Sequence, residues 1–137
     1  MGYKSQEISF YQEIENEDTQ LNEENFQSKL MTIPNLHSKW LKFCYGEINV
    51  MLKMEYSLKK LYRQKYKYYL TEYEVEIKPN HINFFIESDK EYSKYLYKTN
   101  VQKKKVEYLE KVVKKINSLS FDIQNIVKWQ MFKMGVN

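Results

Sequence analysis

Residues 35–74 read NLHSKWLKFCYGEINVMLKMEYSLKKLYRQKYKYYLTEYE, and this stretch decides the fold class. It contains no Pro and a single Gly, Gly46, so few of its residues favour a break. Its apolar side chains recur mostly at intervals of three and four, which is the period of one helix face. We therefore predict one long helix over this stretch. The residues that carry the period are Leu41, Tyr45, Ile48, Leu52, Tyr62, Tyr66, Tyr69 and Tyr73.

The segment before this helix is acidic, with seven acidic and two basic side chains in residues 1–30. Its first 20 residues fit either a loose arm or one short helix. Asn22, with Asn25 three residues later, can open a further short helix. Pro34 is expected to end that helix, because the residue before a proline is disfavoured in the helical region.

A connector follows the long helix. Residues 72–77 alternate polar and apolar, which is typical of a short strand. Asn80 is placed to cap a short turn that runs to Ile86. The sequence Ser88-Asp89-Lys90-Glu91 matches a capping box, with Ser88 as the N-cap of a second long helix.

The second long helix carries a seam with alternating spacings of three and four, the pattern of a helix that packs on a partner. We expect Asn117, Ser118 and Ser120 to end it before a last amphipathic helix that stops at Gly135. The fold class predicted is all-α, with two long helices and short ones, and self-association should bury their apolar stripes. The seam positions are Tyr92, Tyr95, Thr99, Gln102, Val106, Leu109, Val113 and Ile116.

Several function classes lack the residues they need. Cys44 is the only cysteine, so no internal disulfide forms, and it resembles a small core residue more than a nucleophile. The two histidines have no metal-ligand spacing, and three scattered glycines form no phosphate-binding loop. No apolar run approaches the length of a membrane span. We expect a soluble intracellular protein that is not an enzyme and has no metal, cofactor or membrane partner.

Charge alternates in blocks along the chain, and the middle block is strongly basic, since residues 39–67 hold eight basic and two acidic side chains. An AT-rich genome would by itself raise the numbers of Lys and Tyr, so the position of these residues matters more than their count. Cations next to aromatic rings suit single-stranded nucleic acid, because cations neutralise phosphates and rings stack on bases. The alternative is a solvated face with Tyr filling the core. The candidate residues are Lys59, Lys60, Arg63, Lys65, Lys67, Tyr68 and Tyr69.

Helical geometry divides these candidates. Lys59, Arg63 and Lys67 share one face by their spacing of four, whereas Lys65 points roughly opposite to Arg63. A joint role on one strand would therefore need a bend, a neighbouring subunit or a strand that wraps around the helix.

Taken in order, several motifs resemble the UvsY recombination mediator proteins of T4-like bacteriophages. The likeness extends over about 100 residues, and the order and spacing of the motifs carry it. These motifs are Ile33-Pro34-Asn35-Leu36-His37-Ser38-Lys39-Trp40-Leu41, Leu61-Tyr62-Arg63-Gln64-Lys65-Tyr66-Lys67-Tyr68-Tyr69, Ser88-Asp89-Lys90, Phe121-Asp122-Ile123-Gln124-Asn125-Ile126, Trp129-Gln130 and 132–135.

The resemblance implies a ring-shaped homo-oligomer, a hexamer or heptamer, that binds single-stranded DNA. Such a protein helps displace the phage single-strand-binding protein and loads a RecA-like phage recombinase in the cytoplasm of the infected host. The family's two strand-binding cations fall on Arg63 and Lys65, and no function is carried over to residues 71–87. Its C-terminal part is associated with oligomerisation, for which the candidates are Val106, Leu109, Val113, Ile116, Phe121, Ile126 and Trp129.

The hypothesis that results has four segments. Residues 1–34 are an acidic segment with room for a short helix, and 35–76 are a long basic helix that binds single-stranded DNA. Residues 77–88 are the connector, and 89–137 are the oligomerisation helices. One alternative is a helical oligomeric scaffold that does not bind nucleic acid, and another is a basic helix that lies on an anionic membrane.

Overall fold

The computed structural model describes residues 3–22 and 24–135, so the predicted acidic segment 1–34 includes positions outside the described ranges. Helix α1 spans Ile8–Asp18 and α2 spans Phe26–Lys67, after which a π-helical turn spans Tyr68–Glu72. A 3-10 turn at Pro79–His81 leads into α3 at Ile82–Ser88, and α4 spans Lys90–Lys133. The described residues form no strand, so the all-α prediction is confirmed.

Two compact units divide the chain. The first, which we call the terminal unit, contains residues 1–46 and 107–137, and the second, the central unit, contains 47–106. Both α2 and α4 contribute to each unit. These units cut across the four segments expected from sequence.

In the terminal unit, α1 is held by aromatic side chains. Tyr11 and Trp40 are fully buried, and Phe43 lies 5.1 Å from Tyr11 and 5.3 Å from Trp40 between ring centroids. The indole N–H of Trp40 donates to Asp18 at the end of α1 over 2.9 Å. Cys44 is buried, as predicted for a core residue, and burial followed by the charge of Glu110 raises its pKa.

The central unit has an apolar cluster that holds the connector. Ile77, Ile82 and Ile86 are buried at its centre. Ile77 lies in a segment, residues 76–78, that has no regular secondary structure. Four aromatic side chains pack around the cluster: Tyr62, Tyr69, Phe85 and Tyr92.

A buried polar network also joins α2 to α4 in the central unit. The side chain of Glu47 is fully buried, and its carboxylate accepts hydrogen bonds from Gln102 over 2.9 Å and Lys105 over 3.2 Å. Gln102 also donates to the Glu47 carbonyl over 2.8 Å. Because a buried carboxylate is costly unless it is paired, this network favours one register of the two helices.

Two predicted helix breaks are wrong. Pro34 lies inside α2 and does not end a separate helix. Pro34 removes the donor for the Leu30 carbonyl, but both residues are exposed, so water can solvate that carbonyl. The helix begins at Phe26 and not at Asn22, whose side chain accepts from the backbone N–H of Asn25 over 3.0 Å in the turn before α2.

The expected break at 117–120 is also absent, because α4 is continuous. Ser118 bonds back to the Lys115 carbonyl over 2.9 Å, an arrangement that a helix tolerates. Leu119 is buried and continues the apolar stripe of α4. The predicted end at Gly135 is confirmed by its positive φ of 71°, as expected of a glycine that terminates a helix.

The connector and the start of α4 need two further corrections. Residues 72–77 form no strand, and no other strand in the described residues is there to pair with them. Their alternating pattern ends at Ile77, which is buried in the apolar cluster. Asn80 lies within the 3-10 turn, and neither that turn nor α3 has a side-chain cap. Asp89, not Ser88, caps α4, as described below.

No helix in the described ranges has a stretch long and apolar enough to cross a membrane.

Candidate nucleic-acid interface

One face of α2 in the central unit is a row of exposed cations, which we call the outer row: Lys59, Arg63 and Lys67. Within the described residues, these three side chains make no salt bridge. A spacing of four residues aligns them along the helix, so an extended anion can contact them in succession. Lys60 is also exposed and, as the residue after Lys59, lies about 100° further around the helix.

Lys65 has a different environment. Its ammonium group lies 2.9 Å from Glu91 and 3.3 Å from Asp89, and only 18% of its side chain is exposed. These interactions raise the pKa of Lys65, with the hydrogen bond to Glu91 as the main cause. The same ammonium lies 6.0 Å from the centre of the Tyr68 ring. Lys65 thus joins the end of α2 to the start of α4.

Asp89 is the centre of this junction. Its backbone is extended, with φ −66° and ψ 130°, and its side chain accepts from the Tyr92 backbone N–H over 3.0 Å, as an N-cap does. The Tyr69 hydroxyl donates to the same carboxylate over 2.7 Å. Burial alone would raise the pKa of Asp89, but the Tyr92 N–H, the Tyr69 hydroxyl and Lys65 together lower it.

The two adjacent tyrosines also differ. Tyr69 is half-buried, and burial together with its bond to Asp89 raises its pKa to about 12. Its ring packs 5.2 Å from Tyr73 and 5.9 Å from Phe85. Tyr68 is 41% exposed and touches Tyr69 edge to face at 5.0 Å. Tyr68 therefore has ring surface available for stacking on a base, whereas Tyr69 is mainly a core residue.

The structure thus divides the seven predicted strand-binding residues. Their assignment to DNA binding stays a prediction, but their surroundings are now defined. Sequence reasoning missed Asp89 as the N-cap of α4 because it assigned that role to Ser88 in the capping box. The signal for Asp89 was a carboxylate, able to accept a hydrogen bond, three residues before Tyr92. Four cations and one tyrosine are exposed, namely Lys59, Lys60, Arg63, Lys67 and Tyr68, and Lys65 and Tyr69 are partly buried.

The predicted oligomerisation residues also differ in exposure. Val106, Leu109 and Ile116 are buried within the chain, and so is Val112, which the predicted seam did not include. Val113 and Ile126 are half-buried. Phe121 is 65% exposed and Trp129 is 57% exposed, so these two have surface available for another subunit.

Comparison with known families identifies the chain. The family described as recombination, repair and ssDNA binding protein UvsY matches residues 14–136. The chain belongs to the UvsY family. Its role is therefore in recombination and repair, with binding of single-stranded DNA, and the resemblance predicted from sequence is confirmed.

Solved structures agree on the fold of this UvsY-family chain. One crystal structure of the bacteriophage T4 recombination mediator protein UvsY superposes with a TM-score of 0.82 at 20% identity, covering 93% of this chain and 99% of that one. A second lattice form of the same protein gives a TM-score of 0.83 at 18% identity, covering 95% and 99%. The chain has no significant sequence match among curated proteins.

Proposed function

We propose that this protein is a non-enzymatic recombination mediator of a bacteriophage. It binds single-stranded DNA in the cytoplasm of the infected bacterial host. There it promotes loading of a RecA-like phage recombinase onto strands covered by the phage single-strand-binding protein, in recombination, replication and repair.

The observation that carries the proposal is the outer row in a chain of the UvsY family. Lys59, Arg63 and Lys67 are exposed on successive turns of one helix. They have no competing carboxylate partner in the described ranges. Tyr68, the next residue after Lys67 and within 6.0 Å of the Lys65 ammonium, is also exposed and offers a stacking surface that does not depend on base identity. Phosphate contact along the row and stacking on Tyr68 suit a strand of any sequence that bends around the helix.

Assembly of six or seven copies into a ring would multiply these contacts. Each outer row alone makes few contacts, but linked copies bind one strand with a high effective concentration. A strand that is held through many weak contacts can be released in steps, which a protein that transfers the strand to a recombinase requires. Exposed Phe121 and Trp129 on α4 are the side chains we propose for subunit contact.

The test is a loading assay with a phage recombinase and its single-strand-binding protein. We measure strand-dependent ATP hydrolysis by the recombinase on a covered strand, with and without this protein. A mediator restores the hydrolysis that the covering protein suppresses, and it hydrolyses no ATP by itself. An absence of restoration, together with an absence of strand binding, would favour the scaffold alternative.

A further inference from the structure

A second basic surface lies on the opposite side of α2 from the outer row, in the central unit, because Leu61 is about 200° of helix turn from Lys59 and from Arg63. An open groove of about 210 Å³ is lined by Leu61 from α2 and by four side chains from α4: Glu91, Lys94, Tyr95 and Lys98. Enclosed pockets for small molecules are typically about 300 to 1,000 Å³, so this shallower groove suits part of a polymer better than a whole cofactor.

Lys94 and Lys98 are the cations of this groove. They are exposed, four residues apart on α4, and make no salt bridge within the described residues. Glu91 is the acidic member of the lining, and Lys65 already pairs with it at 2.9 Å. The two lysines are therefore available to an anion that enters the groove.

The floor of the groove is apolar. Leu61 and Tyr95 are both half-buried, one from each helix. A surface with cations around an apolar floor fits the two parts of a nucleotide, because phosphates meet the lysines and a base or sugar covers the floor.

We propose that the groove between α2 and α4 is a second contact site for single-stranded DNA, with Lys94 and Lys98 as its phosphate-binding residues. The proposal rests on the strand binding of the proposed function and extends it from one helix to two. Within the groove, Lys65 pairs with Glu91 over 2.9 Å and so offsets the one negative charge of the lining.

The experiment compares two double variants of the full chain by titrating a fluorescent oligothymidylate at several salt concentrations. Lys94→Gln with Lys98→Gln removes the groove cations. Lys111→Gln with Lys114→Gln is the matched control, because it removes two exposed charges from the same helix, in the terminal unit. Circular dichroism and the mass of the assembly in solution establish that each variant is folded.

For each engaged subunit, the groove variant should bind about tenfold more weakly at low salt, since each of the two exposed ion pairs contributes up to about fivefold. Its log-log salt slope should fall by about 1.4 for each engaged subunit, at about 0.7 for each phosphate that is no longer neutralised. The control should keep the affinity and the slope of the unsubstituted protein. Lys94→Arg with Lys98→Arg should also keep them, because the charge remains.

Three results would overturn the proposal. An unchanged slope in the groove variant would show that the strand passes elsewhere, while binding by the unsubstituted protein would leave the proposed function intact. Equal losses of affinity in both Gln variants would show a general charge effect and no groove. No strand binding by the unsubstituted protein would remove both the groove and the proposed function.

Discussion

Arg63 and Lys65 are two residues apart on α2, yet they belong to different surfaces. Arg63 is exposed in the outer row with no carboxylate partner in the described ranges, whereas Lys65 is held by Asp89 and Glu91. A helix turns by about 200° over two residues, so neighbouring charges of the same sign enter opposite environments. The comparison teaches that one basic stretch can present exposed cations on one side and form a structural junction on the other.

The largest effect should come from the residue that organises the junction. Asp89→Ala removes the N-cap of α4 and leaves Lys65 and Tyr69 without their shared acceptor. We expect the free energy of unfolding in urea to fall by about 2 to 3 kcal/mol, because the cap and its charged hydrogen bonds are removed. Asp122→Ala, at an exposed position of α4, is the control and should change it by less than about 0.5 kcal/mol. Equal effects would disprove the junction.

The next prediction separates the two cations directly. Lys65→Met should lower the free energy of unfolding by about 1 kcal/mol, because it breaks the ion pairs between α2 and α4. Arg63→Met should leave stability within about 0.5 kcal/mol, because its side chain is solvated. Urea unfolding of both variants measures this difference. A destabilisation at Arg63 as large as that at Lys65 would contradict the division into two surfaces.

These contrasts show how much of the structure could be predicted from the sequence. Periodicity predicted the all-α class and the two long helices, because apolar spacing reports burial directly. Sequence reasoning overestimated how strongly Pro34 and Ser118 break a helix, because a local preference of a few kcal/mol or less is outweighed by packing along a long helix. For Lys65, the spacing showed that it faces away from Arg63, but its partners lie more than 20 residues away in sequence. Only the fold brings them together.

High pH should weaken the junction. The folded pKa of Tyr69 is about 12 against an ordinary value of 10.0, and that of Lys65 is raised above 10.5. Both groups bind their proton more tightly when folded, so their stabilisation is complete below pH 10 and is lost as the pH rises toward 12.

Tyr69→Phe should therefore flatten the decrease in the free energy of unfolding between pH 10 and 12. Tyr108 is a matched control in the terminal unit, because burial and Glu15 raise its pKa to about 12 as well. The double variant with Tyr108→Phe should flatten the curve further. A curve for Tyr69→Phe that runs parallel to that of the unsubstituted protein would contradict the role assigned to Tyr69.

The smallest effect is expected at Glu91. This carboxylate is 68% exposed at its side chain, so Glu91→Gln should lower the free energy of unfolding by about 0.5 kcal/mol or less. Loss of its negative charge should strengthen strand binding slightly, by about twofold at low salt. Oligonucleotide titration beside urea unfolding measures both. A weaker affinity in this variant would mean that Glu91 supports the strand site.

Our central proposal is that the outer row binds strand phosphates and that Lys65, paired with Asp89 and Glu91, does not. The most direct measurement is the salt dependence of oligothymidylate binding by Arg63→Met and by Lys65→Met, each under conditions where the protein is folded. The account predicts a log-log slope reduced by about 0.7 for each engaged subunit in Arg63→Met and an unchanged slope in Lys65→Met. A reduced slope in Lys65→Met with an unchanged slope in Arg63→Met would contradict it.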